Sequence, residues 1–158
     1  LSDPQRLTHE ALFNRKEIGM AAVRSMMQAA DQKPNDFATA LLYRELVREE
    51  YDKEFNAAWD NLIAARSGTY VYDNDGNLLS ENDILINILD AICDTIVTLQ
   101  GLAEGLGFDL VGAYNEVMRS NLSKIGSDGK VHKNSYGKIT KPGGYRPPNL
   151  LPYLEREA

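Results

Sequence analysis

The sequence is poor in the residues that usually announce a site: one cysteine, two histidines and one tryptophan among 158 residues. A lone Cys93 can form no disulfide within the chain, and with so few His and Cys side chains no zinc-type donor cluster assembles. No uninterrupted apolar run reaches bilayer length, and no basic stretch leads into an apolar one at the amino-terminal end. A secreted or membrane protein is therefore not expected, and a reducing cytoplasm is. Internal repeats and low-complexity linkers are also missing. With 43% hydrophobic and 25% charged residues, the length predicts one globular domain over 1–158. It divides into a helical body, 1–124, and a basic Gly/Pro-rich arm, 125–158.

Charge is present but unevenly placed. The net is -6. Between Arg119 and Arg146, however, seven basic residues face a single acid, Asp128. An acidic body with a basic late segment suits a metal site facing a phosphate site, or else a solvated loop that happens to be basic. The overall pI near 4.9 argues against a nucleic-acid binder, which needs a dominating basic surface.

Periodicity predicts an all-α fold, a bundle of four to five helices with an irregular C-terminal arm. Ser2-Asp3-Pro4 signals a helix start, with a first helix to about residue 16. A second is expected over 19–30, ended by Pro34. Asn35 or Asp36 can cap a long helix over 37–65, whose apolar positions recur at three or four residues. Tyr70-Val71-Tyr72 and Leu78-Leu79 around Asn74-Asp75-Gly76 predict a short hairpin or extended loop. Asp73, Asp75 and Asn77 are not a calcium loop, since Leu78 and Ile84 stand where Gly and Glu are needed. A further helix is expected over 81–104, stopped by Gly105 or Gly107, and a last one from Asp109 to about 124. The arm has turn signals at Ser127-Asp128-Gly129 and Pro142-Gly143-Gly144.

Carboxylates carry the chemistry. From Ile84 to Leu102 the only charged residues are Asp90 and Asp94. That helix is apolar on all sides, which predicts burial, and the two aspartates lie one above the other on one face. A metal or a basic neighbour must compensate them. On the long helix Glu50 and Glu54 share a stripe with Asn61, and Glu49 lies nearer the solvated side. Four such oxygen donors on two antiparallel helices would suit Mg²⁺, with Mn²⁺ as a substitute, and so phosphate chemistry. Cys93 is expected as a small core residue beside Asp94. Trp59, with Tyr51 and Phe55, is expected in the core or a subunit interface, and His132 in a loop.

Glu49-Glu50 with Glu54, then Asp90 and Asp94, resemble the all-α nucleoside triphosphate pyrophosphatases. That superfamily comprises MazG-like proteins, dimeric dUTPases and phosphoribosyl-ATP pyrophosphohydrolase. Ser120-Asn121-Leu-Ser-Lys124, Asp128-Gly129-Lys130 and Lys141-Pro142-Gly143-Gly144-Tyr145-Arg146-Pro147 extend the likeness through the arm. The family motifs are E-E-x-x-E and E-x-x-D, and the sequence departs from both. Lys53 stands at the third Glu position counted from Glu49, Tyr51 replaces the second Glu counted from Glu50, and Ala91 stands where E-x-x-D needs Glu.

The resemblance implies an enzyme that hydrolyses the α–β phosphoanhydride of a (deoxy)nucleoside triphosphate to the monophosphate and pyrophosphate. It implies a MazG-like helical fold, Mg²⁺, and a homodimer or homotetramer. Glu50, Glu54, Asp90 and Asp94 would be the metal ligands and Glu49 a ligand or general base. Asn121 and Lys124 would contact substrate phosphates, although read by themselves they cap a helix C-terminus. Lys138, Lys141 and Tyr145 would close over the triphosphate or base. The competing expectation is a non-catalytic helical module that binds nucleotide or protein and keeps a decayed site.

Overall fold

The computed structural model describes residues 19–155, so the helix expected near 2–16 lies outside the described residues. The described chain is all-helical apart from loops. Among the described residues the only extended pairings are two isolated antiparallel bridges, Tyr72 with Leu78 and Lys133 with Ile139. The chain forms two compact units, divided between Leu106 and Gly107.

The first unit begins with α1, Met20–Ala29. Met20, Val23 and Met27 recur at three and four residues and are buried; Val23 and Met27 pack on Tyr43, flanked by Leu46, Val97 and Leu102. After Pro34, Asp36 is the cap of the next helix, accepting from the Thr39 N–H at 2.8 Å. Asn35 takes the left-handed turn position instead, with φ of 50°.

Three segments then run as one rod: α2, Phe37–Arg48, a π-helical segment, Glu49–Phe55, and α3, Asn56–Arg66. The sequence predicts this rod as a single α-helix; the π segment inside it is the difference. Its last ring closes through the Asn56 N–H on the Tyr51 carbonyl, five residues back. Helix α4, Glu81–Gly105, starts with a reciprocal box in which Ser80 and Asp83 cap each other.

Helix α4 runs antiparallel to the rod. At one end Arg66 donates to Glu81 at 2.8 Å, and at the other Asn35 and Asp36 N–H groups donate to the Glu104 and Gly105 carbonyls, each at 2.8 Å. The close crossing demands glycine. A Cβ on Gly105 would stand 2.7 Å from the Ala40 nitrogen, and one on Gly101 would strike the Tyr43 ring. Beneath it Arg24 donates to the buried Glu104 at 2.6 Å. A second core joins Ala58 and Leu62 of α3 to Ile84 and Ile88 of α4, closed over by Val71 of the loop.

Two sequence expectations fail here. Helix α4 is not buried all round: most of its last five residues are, but Leu85, Ile86, Leu89, Ile92 and Leu99 are exposed, and so is Cys93. A helix this apolar has one face in the core, and the described residues of the unit supply too few helices to cover the rest. Over its 25 residues α4 is also long and apolar enough to cross a membrane by length and composition, with mean hydropathy 1.5 in its most apolar window. Any such window still holds both Asp90 and Asp94.

The second unit is built on α5, Leu110–Leu122, capped by Asp109. The arm is stitched to it by polar contacts. Glu116 accepts from Arg119 at 2.7 and 2.8 Å and from the Asn149 N–H at 2.8 Å. The Arg146 N–H donates to Ser123 Oγ at 3.0 Å. Those donors hold the Glu116 carboxyl down at about 2, Arg119 contributing most. The expected turns form, with Gly129 at φ of 73° and the Tyr145 N–H bonded to the Pro142 carbonyl.

Candidate active site

One pocket of about 550 Å³ gathers the sequence-predicted carboxylates of the first unit. The π segment supplies Glu49, Glu50 and Glu54, and α4 supplies Asp90 and Asp94. The backbone explains why all three glutamates take part. On a regular α-helix Glu49 stands about 100° from Glu50 and well off the Glu54 stripe. A π ring carries one more residue than an α ring, so residues five apart come into line. Glu49 thus joins the pocket lining, where α periodicity leaves it toward solvent. Lys53 lies within that π segment.

The electrostatics are one-sided. Among the described residues no Lys, Arg or His lines the pocket. Among the described residues Glu50, Glu54, Asp90 and Asp94 form no ion pair, and Glu49 meets only the exposed Lys53 at 3.4 Å. The partly buried Glu50 carboxyl is pushed upward, first by desolvation and then by the negative charges of Asp94, Glu54, Glu49 and Asp90. A salt bridge to a neighbouring helix, the alternative explanation for Asp90 and Asp94, is not formed among the described residues. Both aspartates are exposed to the pocket side instead of buried in a core.

The donors are all oxygen, which suits a hard divalent cation in kind. They are not gathered into a cage. Among the described residues no group of three or more His, Cys, Asp or Glu side chains is spaced to hold a metal ion as it stands. Like charges gathered in this way repel one another, and among the described residues Lys53 meets only Glu49, which favours an open pocket.

Sequence reasoning missed part of the lining. Asn61, Asn87 and Asn74 bring amides to the pocket from α3, α4 and the 72–78 hairpin, beside Tyr72 and Asp73. The signal for two of them was spacing: Asn61 shares the Glu50/Glu54 stripe, and Asn87 precedes Asp90 and Asp94 by three and seven residues. Asp73 is spoken for by its own turn, accepting from the Asp75 and Asn77 N–H groups at 2.9 and 2.8 Å. The Asn77 amide and these backbone donors hold its carboxyl below the usual range.

The predicted phosphate- and base-contacting residues belong to the second unit. Lys124 Nζ donates to Asn121 Oδ1 at 2.7 Å, just past the end of α5. Lys141 Nζ stands 4.7 Å from the centre of the Tyr145 ring, a cation–π pair. Lys138 lies in the 133–139 hairpin, where its N–H and that of Tyr136 bond to Asn134 Oδ1 at 3.0 Å. The 72–78 hairpin has the same build, with Asp73 in the place of Asn134 and Gly76 in that of Gly137, both glycines at positive φ. No protein-family model matches the chain, and no curated protein does.

Proposed function

We propose that the first unit is the catalytic body of a metal-dependent nucleoside triphosphate pyrophosphohydrolase. The observation that carries this reading is the pocket itself. Two antiparallel helical segments turn five carboxylates into one cavity with no basic side chain among the described residues lining it, which is the donor chemistry of a site for Mg²⁺ or Mn²⁺. Glu50, Glu54, Asp90 and Asp94 are the residues that would hold the cation. When bound, such an ion neutralises phosphate charge and lowers the pKa of a coordinated water. Glu49 would act as general base, a reading supported by its ionic partner among the described residues being an exposed lysine that solvent screens.

The reaction adds water at the α-phosphorus, breaks the α–β bridge and releases the monophosphate and pyrophosphate. By the resemblance, Asn121, Lys124, Lys138, Lys141 and Tyr145 of the second unit are candidate phosphate- or base-binding residues. The amides of Asn61, Asn74 and Asn87 supply donors and acceptors to orient a polar substrate. A cytoplasmic location goes with this reading, since nucleoside triphosphates are met there.

A second reading is a nucleotide- or protein-binding helical module with a decayed metal site. The absence of a gathered three-carboxylate cage among the described residues favours it. Pyrophosphate release from a panel of ribo- and deoxynucleoside triphosphates separates the two, run with Mg²⁺, with Mn²⁺ and with a chelator. The enzyme reading expects metal-dependent release from one or two members. Silence across the panel, together with retained nucleotide binding, selects the module.

A further inference from the structure

The pocket of the first unit carries its free charge at one end. Arg66 and Glu81 join the rod to α4 at one end of the antiparallel pair, so Glu50 lies toward Asp94, and Asn61 toward Asn87. After desolvation, Asp94 raises the Glu50 carboxyl most and Asp90 least of the four neighbouring carboxylates, in keeping with that order. Along the rod Glu50 and Asn61 stand on the order of 15 Å apart. Carboxylates fill one end of the pocket and asparagines mark the other.

The loop between α3 and α4 is fastened at the asparagine end. Val71 packs with Ala58, Leu62, Ile84 and Ile88, which neighbour Asn61 and Asn87 along their helices. The Leu79 N–H donates to the Val71 carbonyl, and the Asp73 N–H to the Asn77 carbonyl, each at 2.9 Å. The hairpin so formed brings Tyr72, Asp73 and Asn74 to the pocket. The Asp73 carboxylate is spent within the turn, accepting the Asn77 amide at 2.9 Å besides the two backbone N–H groups. By contrast, the side-chain amides of Asn61, Asn74 and Asn87 have no hydrogen-bond partner among the described residues, and Tyr72 is 57% exposed.

These groups suit a neutral polar ring. An amide offers a donor and an acceptor side by side, the kind of pattern a nucleobase edge presents, and a tyrosine ring is a surface on which a base stacks. A cation would go to the carboxylates, and a phosphate to the cation held there. We propose that the 72–78 hairpin is the specificity element of this pocket: Asn74, with Asn61 and Asn87, reads a nucleobase that stacks on Tyr72, and Asp73 is a positioning residue that holds the turn. The residues that carry the resemblance to the pyrophosphatases include none between 56 and 89. Naming the ring a nucleobase rests on the pyrophosphohydrolase reading; the neutral end and its free amides do not. The role of Asp73 is mirrored in the 133–139 hairpin, where Asn134 accepts the Tyr136 and Lys138 N–H groups at 3.0 Å. An amide oxygen there does the work of the Asp73 carboxylate, so the turn needs an acceptor and not a negative charge.

Two measurements on the full chain test this. In the first, adenosine, guanosine, cytidine, uridine and thymidine, all uncharged, are offered with a chelator present, and saturation-transfer NMR reads binding at dissociation constants of about a millimolar. The wild type is expected to bind at least one of them. Asn74→Ala should weaken that binding about threefold to tenfold, the loss of one amide hydrogen bond, with far-UV dichroism intact because the Asn74 side chain has no partner in the described fold. In the second, kcat/KM for pyrophosphate release with Mn²⁺ is compared across the corresponding triphosphates. Asn74→Ala and Asp73→Ala should narrow the preference among bases by a similar factor, and Asp73→Asn should keep the wild-type preference. A wild type that binds no nucleoside, or that cleaves all the triphosphates alike, overturns the proposal, as does a preference indifferent to Asn74→Ala. Asp73→Asn behaving as Asp73→Ala overturns the positioning role. Nucleoside binding lost in Asn74→Ala, with no pyrophosphate released from any triphosphate, upholds the hairpin and defeats the reaction; release whose base preference ignores Asn74 does the reverse.

Discussion

Deleting Lys53 should leave the protein folded, although the residue sits in the middle of a helical rod. In a regular α-helix a one-residue deletion turns everything downstream by about 100° and draws it back by about 1.5 Å. Here that rotation would swing Ala58 and Leu62, 7% and 6% exposed, out of the core they share with Ile84 and Ile88. Misplacing Leu62 alone would cost about 3 kcal/mol or more, a large part of the stability of a small domain. The π segment Glu49–Phe55 changes the outcome, because it already carries one residue more than an α-helix needs. Removing Lys53 lets the segment close into α rings with α3 in its present register.

What is lost is an exposed side chain and its 3.4 Å contact with Glu49, an ion pair of the kind that contributes little. The expected change in unfolding free energy is within about 1 kcal/mol of zero. Deletion of Asp60, exposed and within regular α3, is the control, and should cost at least the ~3 kcal/mol of a misplaced Leu62. Urea unfolding followed by dichroism reads both. Equal damage from the two deletions would refute the argument that the π ring holds a surplus residue.

Replacing Gly105 with Ala should destabilise by about 1–3 kcal/mol, through the contact its Cβ would make with the Ala40 backbone; unchanged thermal unfolding would show that α2 and α4 can separate freely. The pH dependence has opposite signs at two glutamates. Glu50 is raised in the fold, so it binds its proton more tightly folded than unfolded, and stability should fall as pH rises above the ordinary glutamate range. Glu50→Gln should flatten that fall in unfolding measured across the acid range. Glu116 is lowered from 4.5 to about 2, so its contribution is present above 4.5 and lost as pH drops toward 2. Glu116→Gln should remove that acid-side loss, and an unchanged profile would sink the assignment. Asp94→Asn should abolish metal-dependent turnover with dichroism intact, and full activity would remove Asp94 from the site.

Much of this structure is legible in the sequence because its signals are local. Asp36 before Phe37, Ser80 before Glu81 and Asp109 before Leu110 are short side chains at helix starts, and each caps the helix expected after it. Glu50 with Glu54, and Asp90 with Asp94, reach the same pocket because a four-residue spacing fixes a face. The misses come from what spacing does not encode. The π ring that brings Glu49 round depends on the whole rod fitting α4, so the α wheel puts Glu49 on the wrong side. The exposure of Cys93 and of one face of α4 depends on how many helices are available to cover it. Composition alone reads the same apolar residues as core. The amide of Asn74 arrives from a loop whose path is set by the hairpin turn, beyond the reach of helical periodicity.

The account rests on the carboxylate pocket of the first unit being a cation site, and titrating Mn²⁺ into the protein by calorimetry with a nucleoside triphosphate present tests this most directly. Saturable binding by the wild type, lost in Asp94→Asn while the fold is retained, is the predicted result. No Mn²⁺ or Mg²⁺ binding by the wild type, or binding that Asp94→Asn leaves unchanged, would contradict it.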